Sequence, residues 1–338
     1  MSVIRTARTA AVFAAVTALA LTGCSRGTQN AASGASPGKA SGNKNATLIM
    51  STLNNPFFVS VGNGARSQAA KSGVKLSLQN ANNSDSTALN LATTAVSKQV
   101  GALIIDPVSS TSATASVKQA NSANIPVMAF DRKPDGGTLS SFIGYDAIQA
   151  GRNAADALAK SLGEKGTIVE IQGLLGTNVA QDRSKGFEEE IAKYPKIKTV
   201  AKQAADFDRA KALDVMTNIL QAHPGIAGVY AANDEMAMGA LAALKARNLA
   251  GKVRLVGNDG IADALAAIQA GTMYATNAES PYALGQKVVS LTGNVLDGKK
   301  VAAEETLQGK LVTKSNVKAY AQYLVGIGDS ADVPAALR

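Results

Sequence analysis

From Thr47 onward the sequence alternates short apolar runs with stretches of helical period, and this rhythm constrains the fold more than any other feature. Apolar runs at 47–50, 75–78, 102–105 and 126–129 read as strands. Between the first two, residues 56–72 place Phe58, Val61, Ala65 and Ala69 on one helical face. A βαβα order of this kind gives a parallel, doubly wound sheet with helices on both sides. The rhythm then resumes, with strands at 167–171, 199–203, 228–231, 253–256 and 274–278. A helix over 208–221 puts Leu213, Met216 and Leu220 on one face. At roughly 100–200 residues per domain, a chain of 338 residues accommodates two such sheets. The fold class is therefore α/β, with two doubly wound parallel-sheet lobes.

Several function classes fall away. No Walker A loop, Gly-x-Ser-x-Gly elbow or complete Gly-x-Gly-x-x-Gly follows a strand. The nearest approach, Gly-Asn-Gly at 62–64, falls inside a helical stretch and lacks the third glycine. No cofactor is expected. One cysteine, Cys24, and one histidine, His223, exclude a disulfide framework and most zinc chemistry, so no metal is expected either. His223 stands in Ala222-His223-Pro224 and reads as a helix-end residue. A net charge of +9 raises nucleic acid as a partner, but Lys and Arg are scattered and only 4% of residues are aromatic. A nucleic-acid surface needs clustered charge with stacking rings, so a dispersed soluble surface accounts for the charge.

Arg5 and Arg8 precede an apolar run from Ala10 to Leu21, about a dozen residues and too short to span a bilayer comfortably. A charged start, a short apolar run and small residues at its end read as an export signal. Leu21-Thr22-Gly23-Cys24 resembles the bacterial lipobox, in which the peptide is cut before Cys, whose thiol receives a diacylglycerol and whose amine is acylated. Residues 1–23 are then a lipoprotein signal peptide and Cys24 the lipidation site. Residues 24–45, rich in Gly, Ser, Ala, Asn and Lys, form a flexible tether. Two or three acyl chains anchor stably where one does not. The folded part, from about Ala46, is expected outside the cytoplasmic membrane and lipid-anchored to the cell membrane.

In open parallel α/β sheets, ligands bind beyond the carboxyl ends of the strands. The residues there are Asn54, Asn55, Asp106, Asp131, Arg132, Phe207, Asn233, Asp234, Asp259 and Glu279. A sugar offers hydroxyls that donate and accept together with a C–H face, so its site wants carboxylates, amides, a forked Arg and aromatic plates. Asp131-Arg132 and Asn-Asn-Pro-Phe-Phe at 54–58 supply such a set. Plainer roles exist for each: Phe57 and Phe58 as core at a helix start, Asn233-Asp234 as an N-cap, Asp106-Pro107 as a turn. Asp106 and Asp234 are read as structural.

Six stretches carry a family resemblance: Ser-Thr-Leu-Asn-Asn-Pro-Phe-Phe-Val-Ser (51–60), Ala-Asn-Ile-Pro-Val (123–127) with Asp-Arg (131–132), Ala-Asp-Phe-Asp-Arg (205–209), Ala-His-Pro (222–224) and Asn-Asp-Glu-Met-Ala-Met-Gly-Ala-Leu (233–241). With these the chain resembles periplasmic sugar-binding proteins of the ribose-binding type, which have the type I periplasmic binding protein fold and capture substrate for a sugar ABC importer. The resemblance runs from about Ala46 to Val312. It implies ligand contacts from Asn55, Phe57, Phe58, Asp131 and Arg132 on one lobe, and from Arg183, Phe207, Asn233 and Asp259 on the other, with Phe58 and Phe207 closing on the sugar ring from opposite sides. Glu279 completes the ligand-binding set. Two departures touch specificity: ribose binders usually have Phe where this chain has Asn258, and Gln where it has Glu279, which loses an amide donor and adds a charge. Ribose is the leading ligand.

The resemblance further implies three crossings between lobes, near 145, 279–280 and 308–309. Residues 46–145 plus 280–308 would form the N-terminal lobe, and 146–279 plus 309–338 the C-terminal lobe and a tail that is longer than the family implies. The implied function is monosaccharide capture, by a monomer, for an ABC permease with a separate ATPase subunit, without enzymatic turnover. The alternatives are a component that presents its ligand to a chemoreceptor or signalling kinase, or a binder of another pentose, hexose or furanose signal.

Overall fold

The computed structural model describes residues 42–338. The signal peptide, Cys24 and most of the tether lie outside the described residues. The chain begins with β1 (Asn45–Met50), α1 (Pro56–Ser72), β2 (Lys75–Asn80), α2 (Asp85–Ser97), β3 (Ala102–Ile105), α3 (Ala113–Ser122), β4 (Val127–Phe130) and β5 (Ser141–Tyr145). It continues through α4 (Ala147–Ser161), β6 (Gly166–Gln172), α5 (Asn178–Ile191), β7 (Ile197–Ala204), α6 (Arg209–Ala222), β8 (Gly228–Ala231), α7 (Asp234–Ala246), β9 (Arg254–Asp259), α8 (Ala262–Ala270) and β10 (Ala275–Ala278). The last elements are α9 (Pro281–Leu296), β11 (Glu304–Leu307), β12 (Lys310–Thr313) and α10 (Val317–Gly326).

These strands make two six-stranded sheets, ordered β11-β5-β4-β3-β1-β2 and β12-β10-β9-β8-β6-β7. Every pairing is parallel except that of β10 with β12. The molecule is thus two doubly wound α/β lobes, the type I periplasmic binding protein fold. In each sheet the strand order reverses once, between β1 and β3 and between β6 and β8, which opens a crevice at the carboxyl ends. The chain passes from one sheet to the other after β5, after β10 and after β11.

Local chemistry sets the helix ends beside those crevices. Asn55 caps α1, its side chain accepting from the Phe57 amide, and Pro56 follows in the first turn, where its missing N–H costs nothing. Asn233 caps α7 by accepting from the Met236 amide. His223 is the C-cap of α6, with its amide donating to the Ile219 carbonyl. The Gly-Asn-Gly stretch has a packing role: a Cβ on Gly64 would collide with the carbonyl oxygen of Tyr282 in α9, and one on Gly285 of α9 with that of Val61 in α1. α4 and α5 repeat the device, since a Cβ on Gly151 would strike the Arg183 carbonyl and one on Gly186 the Ile148 carbonyl.

The tail is ordered. α10 packs on α8 and β12, and beyond it Asp329 accepts a 3.4 Å hydrogen bond from Ser60 of α1 while Val333 and Leu337 are buried. The C-terminal segment therefore touches both lobes.

Replacing Gly64 with Ala should lower the unfolding midpoint, at about 1–3 kcal/mol for overpacking. Gly225→Ala, whose Cβ would meet nothing, should leave the midpoint unchanged. Equal drops in the two variants would contradict the close approach of α1 and α9.

Candidate functional site

The carboxyl ends of the two sheets bring ten side chains around one cavity. Asn55, Phe57, Phe58, Asp131 and Arg132 come from the first lobe, and Val179, Arg183, Phe207, Asn233 and Asp259 from the second. The free space between them is about 20 Å³, room for about one water molecule, so a larger ligand enters only when the walls part. Nine of the ten are residues singled out from the sequence, and Val179 is the addition. Glu279 does not line the cavity.

Three of the lining residues have backbones in the region that favours glycine: Asp131 at φ 58°, Phe207 at φ 61° and Asp259 at φ 126°. Such conformations cost energy and persist where surrounding structure holds them, often at functional sites. Asp131 is held by its amide, which donates to the Ile143 carbonyl at 3.0 Å.

Each lobe contributes a buried guanidinium. Arg132 donates from Nη1 to the carbonyls of Pro107 and Val108 at 3.0 and 3.4 Å, with Asp131 and Asp106 at 3.8 and 3.9 Å from its Nε. Its carbon lies 5.3 Å from the centre of the Phe58 ring and 5.6 Å from that of Phe207, so rings from both lobes converge on one cation. Arg183 donates from Nη1 to the Ala232 carbonyl at 3.0 Å and from Nη2 to both Glu279 oxygens at 3.1 and 3.0 Å. Asp259 stands 3.6 Å from Arg183 Nη1. Neither Nε has a hydrogen-bond partner among the described residues, and that of Arg132 lies near the Asp131 and Asp106 carboxylates.

The acids around them are strongly desolvated. Burial raises the Asp131 carboxyl while Arg132 and Arg183 oppose the shift, and burial likewise pushes Asp259 well up against the pull of Arg183. Glu279 is raised by burial, with Arg183 and Asn258 opposing. The Arg183 guanidinium loses hydration on burial, but Glu279, Asp259 and Asp131 more than compensate and raise its value. The cavity wall therefore combines two fixed cations, acceptor carboxylates, two amides and three rings.

Asp106 and Asp234 hold structure. Asp106 accepts from the Ser51 amide at 3.0 Å. Asp234 accepts from the amides of Gly260 and Ile261 at 2.6 and 3.1 Å and from the Thr276 hydroxyl at 2.8 Å, tying the ends of β8, β9 and β10 together. A second feature has no sequence signal: the Ser110 amide donates to the Gly176 carbonyl at 3.2 Å, and the Lys133 amide to Asn178 Oδ1 at 2.9 Å. These bonds join first-lobe loops to the loop and first residue of α5 in the second lobe, at one side of the cavity.

Burial pushes Asp106, Asp234 and Glu170 up to about 7, from ordinary values of 3.8 for the two aspartates and 4.5 for the glutamate; Arg132 opposes the first shift, the Thr276 hydroxyl the second and the Ser184 hydroxyl the third. An acid raised on folding holds its proton more firmly in the folded state. Its contribution is fully present below about pH 4 and is lost as pH rises through about 7. The ligand-free unfolding midpoint should therefore be higher at about pH 5 than at about pH 8. A midpoint that rises over that interval would contradict the burial of these acids.

Comparison with known proteins follows the same lines. The periplasmic binding protein domain matches residues 46–300. The ribose import binding protein of Escherichia coli is 42% identical over 269 residues, which cover 79% of this chain and 90% of that protein. A periplasmic solute-binding protein of an ABC transporter from Actinobacillus succinogenes, solved with D-allose, superposes with a TM-score of 0.78 at 30% identity, covering 82% of this chain and 99% of that one. A solute-binding protein of an ABC transporter from Bacillus halodurans, solved with myo-inositol, gives 0.79 at 28% identity, over 84% of this chain and 99% of that one.

Proposed function

The chain belongs to the periplasmic binding protein domain family, and we propose that it is an extracytoplasmic solute-binding protein that captures a monosaccharide, D-ribose first, for a sugar ABC importer. It is a binding protein and not an enzyme, as its relatives are. The observation that carries the sugar reading is the cavity wall, where two buried guanidinium groups, carboxylates, amide caps and the Phe58 and Phe207 rings converge from both lobes. Hydroxyls accept from the cations and donate to the carboxylates, while the C–H face of a sugar covers the rings.

In this reading Asn55, Phe57, Phe58, Asp131 and Arg132 bind from the N-terminal lobe, residues 46–145 plus 280–308. Arg183, Phe207, Asn233 and Asp259 bind from the C-terminal lobe, 146–279 plus 309–338. The three crossings between sheets act as a hinge. Contacts from both lobes exist together only when the hinge is shut, so ligand favours the closed form that a permease reads, with ATP hydrolysed by a separate subunit. Selectivity follows because a buried polar group left unpaired costs roughly 1–3 kcal/mol.

Replacement of Asp131 or Arg183 by Ala should weaken sugar binding at least about tenfold, since each change removes charge-assisted hydrogen bonds in a desolvated site. Calorimetric affinity unchanged in either variant would remove that residue from the site. The ligand itself is read by thermal unfolding against ribose, xylose, arabinose, allose, galactose, glucose, fructose, myo-inositol and a furanose signal. A sugar at about 100 times its dissociation constant adds roughly 2.7 kcal/mol and raises the midpoint visibly. A rise with ribose supports the leading ligand, a rise with another sugar alone replaces it, and no rise with any of them contradicts monosaccharide capture.

The resemblance of Leu21-Thr22-Gly23-Cys24 to a lipobox supports a lipid anchor that holds a monomer at the cell membrane. Cys24→Ala should move the protein from the membrane fraction to the soluble fraction with sugar affinity intact. Retention in the membrane fraction would contradict the anchor.

A further inference from the structure

Glu279 reaches the site by an unexpected route. Its carboxylate is wholly buried and absent from the cavity wall, and its bonding is complete without a ligand: both oxygens take Arg183 Nη2, and Oε1 also takes Asn258 Nδ2 at 3.0 Å. Its backbone is pinned on both sides, by the Asp259 carbonyl at 2.9 Å and the Tyr320 hydroxyl at 3.2 Å.

Behind it runs a chain of amides that all donate in one direction. Gln149 Nε2 donates to Asn153 Oδ1 at 2.8 Å, Asn153 Nδ2 to Asn277 Oδ1 at 3.1 Å, and Asn277 Nδ2 to Asn258 Oδ1 at 3.0 Å. Asn258 then donates to Glu279. Asn258 and Asn277 are register partners on the parallel strands β9 and β10, and both are buried. Asn is a poor strand residue, and a buried amide is costly unless bonded, so two side by side in a sheet interior point to a shared task. Such a chain polarises along its length and needs a pure acceptor at its end.

A carboxylate at 279 is that acceptor, and an amide would not be. With Gln there, an oxygen turned to Asn258 would leave the NH₂ facing Arg183 Nη2, donor against donor; the flipped amide would meet the Asn258 NH₂ in the same way. The acid and the two asparagines therefore belong together. Resting on the sugar-binding reading, we propose that Glu279 is a positioning residue: anchored by the Asn153–Asn277–Asn258 amide chain, it fixes the Arg183 guanidinium so that Nε and the remaining Nη1 proton face the ligand. Specificity for the sugar then depends on how Arg183 is aimed, and not on a hydrogen bond between Glu279 and the sugar.

Two measurements on the full chain test this. Without sugar, the guanidinium protons of Arg183, assigned by their loss in Arg183→Lys, should be resolved by ¹⁵N NMR because the group is held; Glu279→Gln and Asn258→Leu should broaden them away. Signals unchanged by Glu279→Gln would overturn the proposal. With D-ribose, Glu279→Gln should weaken binding about tenfold in the unaltered background and by no more than about twofold on top of Arg183→Lys, the non-additivity expected of a residue that acts through another. Equal losses in the two backgrounds would mean that Glu279 meets the sugar directly, and would also overturn the proposal. If the unaltered chain does not bind D-ribose, ribose capture fails, and the guanidinium spectrum alone decides whether Glu279 and its amides position Arg183.

Discussion

Arg132 and Arg183 place two full positive charges out of water, one from each lobe, and the rest of the site is arranged to make that tolerable. Removing one partner of a buried ion pair leaves an uncompensated charge, which is strongly destabilising. Arg183 is met by Glu279, by Asp259 and by the Ala232 carbonyl; Arg132 by two carbonyls, by Asp131 and Asp106 and by two aromatic faces. Among the described residues, Arg183 leaves its Nε without a hydrogen bond, and Arg132 leaves its Nε and Nη2. A cleft that holds one such cation from each sheet, by different partners, is pre-organised for a small polar ligand that supplies further acceptors.

The sheets make this arrangement possible. Each doubly wound sheet has a crevice where its strand order reverses, and the glycine contacts between α1 and α9 and between α4 and α5 let helices pack close enough to fix those crevices. Gly151 touches the helix at Arg183 itself, so close helix packing and ligand geometry are joined at one residue. The strained backbones at Asp131, Phe207 and Asp259 sit where the strands and loops deliver side chains to the cavity, and the surrounding hydrogen bonds sustain them.

Much of this was legible in the sequence, for identifiable reasons. Apolar runs buried on both faces announced β3 and β8 to the residue, and helical period did the same for α1. The strands that escaped notice, β5, β11 and β12, are short, and two of them are edges; β11 reads Glu-Glu-Thr-Leu and is specified by its partner strand, not by its own pattern. Reading strand ends found most of the cavity wall. Asn233 has the alternatives of cap or ligand residue and Asn55 only that of ligand residue, yet each caps a helix and lines the cavity. Glu279 was placed with the ligand contacts, and only three-dimensional register, which sets Asn277 beside Asn258, reveals that its bonds run to Arg183 and to the amides. The bonds between Ser110 and Gly176 and between Lys133 and Asn178 join segments without motif, and no local signal announces them.

The account stands or falls on one ligand being held by both lobes at once. A crystal structure of the chain grown with D-ribose tests this directly. It should show one sugar between the Phe58 and Phe207 rings, with its oxygens accepting from the Nε atoms of both Arg132 and Arg183. A sugar contacted by one lobe alone, or bound away from this cavity, would contradict it.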